Sequence, residues 1–275
     1  MKIRTGYTLT YDCPEQVTML MMISVHHSRL ADLLTPAEIT ISGGTLVRSY
    51  EDRFGNICTM ITAPPGQLVV ASDFVIGDAG LYDEHNPHAI QHEIADLPIE
   101  TLTFLLGSRY CETDKLSDTA WALFGHIAPG WGRVAAILSF VQQHISFDYL
   151  QASNTRTAWE AYQGRVGVCR DYAHLALTFC RCMNIPARYC TGYMGDIGVP
   201  IVPPMDFSGW FEVYMSGRWY TCDARHNVPR LARILMAVGR DATDVAISNS
   251  FGRAVLSGFE VISDLIEEEA PAITA

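Results

Sequence analysis

The chain has 275 residues, 49% hydrophobic and 18% charged, a globular composition with enough surface to bury one or two cores. A formal net charge of −11 argues against phosphate-backbone binding as the main activity, so no nucleic-acid partner is expected. Eight cysteines in a chain this long, none in C-x-x-C spacing, read as reduced and mostly buried thiols of a cytoplasmic protein rather than a disulfide scaffold.

From the start, Ile3, Thr5, Tyr7, Leu9 and Tyr11 alternate with their neighbours, which is strand periodicity. No apolar run follows Lys2 and Arg4, so no secretory leader is expected there. Val17 to Val25 reads as a buried strand and is too short to span a bilayer. Ile39-Thr40-Ile41 leads into the Gly43-Gly44 turn, and two further apolar runs, Leu46–Tyr50 and Ile57–Ile61, flank a loop ending in Gly55-Asn56. Leu68 to Ile76 adds another β-rich run. A β-rich domain is therefore expected over residues 1–80, with no catalytic pattern in it.

Residues 81–115 read as a connector rich in Gly, Asp, Pro and His. His85, His88 and His92 lie close together there, but Pro87 interrupts any helical spacing and no further ligand group accompanies them. A solvated loop is the expectation, and no metal. The next domain is expected over 116–265, opening near Ser117 as the N-cap of a helix through Phe124. Val134, Ile137, Leu138 and Val141 trace one face of a second helix, and Thr157 to Tyr162 a short third one. The last stretch, 266–275, reads as an acidic, solvated tail.

The most informative segment is 164–188. Gly164 and Gly167 punctuate a loop, Cys169 follows, and Leu175, Ala176, Phe179 and Met183 then recur on one helix face until Asn184 and Pro186 stop the pattern. Cys169 thus meets the unpaired N–H groups of a first helical turn, a setting that favours thiolate and predicts a modestly lowered thiol pKa. Further on, Trp210–Tyr214 and Trp219–Asp223 form a predicted hairpin across Ser216-Gly217. Counting outward from that turn sets Trp210 opposite Asp223 and makes Ser208 and Asp223 diagonal neighbours, about 7 Å apart.

These segments resemble the transglutaminase-like superfamily, bacterial branch. The matching residues are Gly167-Val168-Cys169-Arg170-Asp171, then Asn184-Ile185-Pro186-Ala187-Arg188 and Gly192-Tyr193, then the strand at Trp210 and the strand ending in Asp223. The resemblance implies an α+β fold: an N-terminal β-sandwich-like domain, then a papain-like core whose nucleophile starts a central helix packed on an antiparallel sheet. It also makes Leu231–Val238, ambiguous by pattern, a strand. It implies a thiol enzyme acting on the amide bonds of a peptide or protein substrate, with Cys169 as nucleophile, Asp223 as orienting carboxylate, and Asp171 and Trp210 as substrate-binding residues.

The resemblance departs at one place. The position that holds the family's histidine is Ser208, and a serine hydroxyl cannot serve as a base near neutrality. His226, three residues beyond Asp223, is the possible substitute base: it faces away from Asp223 if the strand continues, but not if the chain turns. His174 reads as a structural core residue. Three functions stay open on this evidence: an enzyme with an altered triad, an impaired relative that binds peptides, and a structural module. No EF-hand or phosphate loop is present, so no cofactor is expected. Oligomeric state is left open.

Overall fold

Alternation in the first dozen residues becomes a strand because it puts Ile3, Thr5, Tyr7, Leu9 and Tyr11 on one face, and that face is buried. The computed structural model describes residues 1–202 and 205–266, so the tail expected over 266–275 lies, apart from Ile266, outside the described residues. The first strands are β1 (Lys2–Cys13), β2 (Val17–Met21), β3 (Thr40–Ser42), β4 (Thr45–Glu51), β5 (Ile57–Ala63) and β6 (Gly66–Gly77). After the connector come α1 (Ile99–Leu102), α2 (Thr113–Phe124), α3 (Trp131–His144), β7 (Ser146–Phe147), α4 (Ala158–Gly164), β8 (Val166–Gly167) and α5 (Cys169–Cys182). Then follow β9 (Ala187–Met194), β10 (Phe207–Met215), β11 (Arg218–Cys222), β12 (Arg233–Gly239), β13 (Ser248–Phe251) and β14 (Val255–Leu265).

Two four-stranded antiparallel sheets, ordered β14-β1-β6-β3 and β13-β2-β5-β4, share one apolar core that includes Leu9, Met19, Ile61 and Val70. A division at residue 116 puts the last two strands with the helical part, but pairing places them elsewhere. β14 lies antiparallel to β1, and β13 to β2. The backbone edges of β1 and β2 need partners, and the chain returns after the core to supply them.

The third sheet, β11-β10-β9-β12, carries α5 on one face. The predicted apolar stripe of α5 is there, with Leu175, Ala176, Phe179 and Met183 all fully buried. Its other faces are buried too, against α2, α3 and α4, so polar side chains in the helix must be satisfied internally. Arg181 donates to the carbonyls of Ala187, Leu106 and Arg240, and Thr178 to that of His174. His174 accepts from the Ala242 N–H at 3.1 Å and stacks on Tyr110, and burial drives its pKa well below the ordinary imidazole value.

Helix starts differ in how legible they are. Thr157 caps α4 with Glu160 reaching back, a reciprocal pair worth about 1 kcal/mol. The helix expected from Ser117 instead begins at Thr113, because its core face is Leu116, Ala120 and Phe124, and Leu116 requires a turn ahead of it. The hairpin at Ser216-Gly217 is as counted: both residues have positive φ, 46° and 79°, and Met215 faces Arg218.

Candidate active site

Cys169 is the first residue of α5, delivered by the short parallel pair of β7 with β8. The helix start is closed from behind. Asp171 Oδ2 accepts from the Val168 N–H at 2.9 Å and from Arg156 Nη1 at 3.1 Å. Gly167 is required by this closure, since a Cβ there would lie 2.5 Å from Asp171 Oδ2. Asp171 is only 1% exposed, so it holds the turn that leads into α5 from inside the protein. Burial raises its carboxyl, against the pull of the Val168 N–H and the two arginines Arg156 and Arg170.

Trp210, also expected to bind substrate, is 2% exposed. It packs with Cys190 and Val238, and the Arg233 guanidinium lies 5.2 Å from its ring centroid. The reason is sheet parity: Trp210 lies on the face of β10 opposite to Phe211 and Val213, which pack in the core under α5.

The hairpin ladder stops at Phe211 opposite Cys222, one pair short of Trp210 and Asp223. Asp223 ends it by capturing the following backbone. Its Oδ1 accepts from the N–H groups of Arg225 and His226, at 2.9 and 3.1 Å, and its carbonyl from Asn227, whose φ is 52°. The chain therefore turns, the strand parity lapses, and His226 swings back to place Nδ1 2.9 Å from Asp223 Oδ2. Gln142 of α3 anchors this turn by donating to the His226 carbonyl at 2.8 Å. Burial alone would raise the Asp223 carboxyl; His226 and Arg233 hold it well below the usual carboxylate range.

Because β11 ends early, the outer edge of β10 at Gly209 has no strand partner, and the Gly209 backbone there favours the Cys169 thiolate. The thiol is nevertheless shifted upward, not down as its helix position predicts. Burial is the largest cause, Gly209 and Arg225 oppose it, and the Asp206 and Asp223 charges add to it. A first-turn dipole is outweighed when the thiol is drawn partly into the protein and two carboxylates stand near.

Cys169, Asp206, Ser208, Arg225 and His226 line one cavity of about 400 Å³. A second, of about 420 Å³, shares Cys169, Asp206 and Ser208 with it and runs past Gly209 to Leu256 and Phe259 of β14. Ser208 pairs with Gly192 and is 7% exposed. Asp206, Gly209 and Arg233 were not singled out from sequence. Only Arg233 left a signal there: a charge inside the apolar run Leu231–Val238, which burial obliges to find a partner.

The connector histidines do not converge. His85 accepts from Trp131 Nε1 at 2.9 Å and His92 from the Gly217 N–H at 2.8 Å. Among the described residues no group of three or more His, Cys, Asp or Glu is arranged to hold a metal ion. No helix among them is long and apolar enough to cross a membrane.

A helix that starts at a cysteine and packs on an antiparallel sheet fits the core of the papain-like and transglutaminase-like folds. Residues 124–224 match the transglutaminase-like superfamily. The match takes in Cys169, Ser208 and Asp223 and ends before His226.

The crystal structure of a putative cysteine protease from Cytophaga hutchinsonii superposes with a TM-score of 0.80 at 25% identity, covering 98% of this chain and 92% of that one. An uncharacterized protein of Mycobacterium leprae is 38% identical over 84 residues, which is 29% of this chain and 30% of that protein's length. The periplasmic domain of TgpA from Pseudomonas aeruginosa is a more distant likeness, with a TM-score of 0.39 at 13% identity over 82% of this chain and 90% of that one.

Proposed function

We propose that the protein is a thiol enzyme of amide bonds, with Cys169 as nucleophile, His226 as base and Asp223 as the carboxylate that orients it. The observation that carries this reading is the 2.9 Å contact of His226 Nδ1 with Asp223 Oδ2, on the wall of the cavity that Cys169 enters. Held through Nδ1, the imidazole keeps Nε2 for the thiol proton. The sulfur attacks the amide carbonyl and forms a C–S bond. The proton taken by His226 passes to the leaving amine as the C–N bond breaks. Water or a second amine then releases the acyl group, so hydrolysis and acyl transfer share one intermediate. The first-turn N–H groups of α5 and the Gly209 N–H are donors near the developing oxyanion. Ser208, at the usual histidine position, has no part in proton transfer.

A peptide or protein is the substrate class this reading implies, with two adjoining cavities at Cys169 to receive an extended chain. All eight cysteines are free, which supports a reducing, cytoplasmic setting. The test is incubation with a p-nitrophenyl ester followed by mass spectrometry. A single acyl adduct on Cys169, absent from Cys169→Ala, is expected; an adduct elsewhere, or none, sinks the reading.

One observation favours a second reading, a relative that binds peptides without cleaving them: burial holds the thiol up in the resting site. That reading requires Cys169→Ala to bind a peptide as tightly as the unmodified protein, which in turn leaves the peptide uncleaved.

A further inference from the structure

We propose that Asp83, in the connector, is a positioning residue for the Asp223–His226 pair and acts on it through Arg233; the inference rests on the function proposed above. Arg233 Nε donates to the two Asp83 oxygens, at 3.2 and 2.9 Å, and Nη2 donates to Asp223 Oδ2 at 2.9 Å. Nη1 points to the Met194 sulfur at 3.0 Å. One buried guanidinium is thus divided between the connector and the site.

The division matters because of which oxygen is shared. Asp223 Oδ1 is filled by two backbone N–H groups, so His226 Nδ1 and Arg233 Nη2 both use Oδ2. What restrains the guanidinium is its grip on Asp83. Released from it, a planar guanidinium is shaped to take the Asp223 carboxylate with two parallel bonds and draw it off the imidazole. Asp83 is itself fixed by main chain: its N–H donates to the Arg230 carbonyl at 2.9 Å, and its Oδ2 accepts from the Arg230 N–H at 3.0 Å.

No neighbouring group duplicates Asp83. Behind Asp223, a cavity of about 270 Å³ holds Asp83, Glu84 and His85, but Glu84 pairs with Arg218 and His85 bonds Trp131. On the Cys169 side, Arg225 lies over the Phe147 ring and Arg230 reaches Asp196. Asp206 has no ion pair among the described residues.

The experiment is the pH dependence of Cys169 alkylation by iodoacetamide in the full chain, with the labelled residue mapped by mass spectrometry. The other seven cysteines are buried, so the native protein reports on Cys169. In Asp83→Asn the inflection moves to higher pH and the rate at neutral pH falls roughly two- to tenfold, the range for one well-placed hydrogen bond. The rate at high pH, where the thiol ionises unaided, is unchanged. Asp83→Glu, with the carboxylate moved one methylene, gives an intermediate inflection and serves alone if Asp83→Asn does not fold.

Simple loss of a negative charge near the thiol makes the opposite prediction, an inflection at lower pH. That outcome, or no movement, overturns the proposal. In a His226→Ala background Asp83→Asn should add nothing; a further shift there means that Asp83 acts on the fold alone. If His226→Ala itself leaves the profile unmoved, it is the base assignment that fails, a result separate from the others.

Discussion

His226 Nδ1 lies 2.9 Å from Asp223 Oδ2, three residues away within one turn. The proposed base and its proposed orienting carboxylate therefore come from a single local structure, not from two neighbouring strands. We expect His226→Ala to lower Cys169-dependent ester or amide turnover by ~10²–10⁴-fold, the usual contribution of a general base. Ser208→His should add nothing, because both Asp223 oxygens are already occupied. Comparison of kcat/KM for the two variants checks this. A gain in Ser208→His with normal turnover in His226→Ala assigns the base to the strand position instead.

Gly209 is the tightest point of the site. A Cβ there would lie 2.2 Å from the Tyr189 hydroxyl oxygen, and Tyr189 is buried. Gly209→Ala must push the strand or the ring aside, at a cost of about 1–3 kcal/mol. The same shift moves the Gly209 N–H off the thiol, so Cys169 alkylation should slow at neutral pH. Urea unfolding and alkylation rates, measured together, check both halves. Unchanged alkylation would show that the N–H does not support the thiolate.

Asp171 separates a structural role from a substrate-binding one. Asp171→Asn keeps an acceptor for the Val168 N–H but loses the ion pair to Arg156. We expect a stability loss of about 1–3 kcal/mol, read by urea unfolding, with KM unchanged in whatever protein folds. A raised KM at unchanged stability would return Asp171 to the substrate.

His174 makes stability depend on pH. Its folded pKa is lowered by burial, with Arg170 and Arg181 adding, while an unfolded histidine titrates near 6.5. Below about 6.5 the unfolded chain therefore takes a proton that the folded one refuses. This contribution is full above that pH and is lost progressively as pH falls toward the folded value. His174→Gln retains an acceptor for the Ala242 N–H and should flatten the dependence below about 6.5. Parallel slopes for the two proteins would mean that another group carries it.

Much of the architecture is written in local pattern. Alternation over Ile3–Tyr11, the 3.6-residue spacing from Leu175 to Met183, and the Ser216-Gly217 turn each concern neighbours within a few residues, and each forms as read. The family motif likewise places Cys169 at a helix start, since a glycine loop, a cap and an apolar helix are all contiguous. The electrostatic consequence of that start did not follow, because the thiol is raised first by burial and then by Asp206 and Asp223, and all of these come from other elements of the fold.

Tertiary structure decided where pairing and charge had to be satisfied across long separations. β13 and β14 return to β2 and β1 because unpaired strand edges are costly, and periodicity carries no information on which edge is open. Asp171 and Trp210 sit in the motif yet face inward, because burial is a property of the assembled layers. His226 reaches Asp223 only because the carboxylate takes two backbone N–H groups and ends the strand, a competition that parity alone cannot foresee. Arg233 and Asp83 meet across 150 residues for the same physical reason: a buried charge must be paired, and only the fold determines with what.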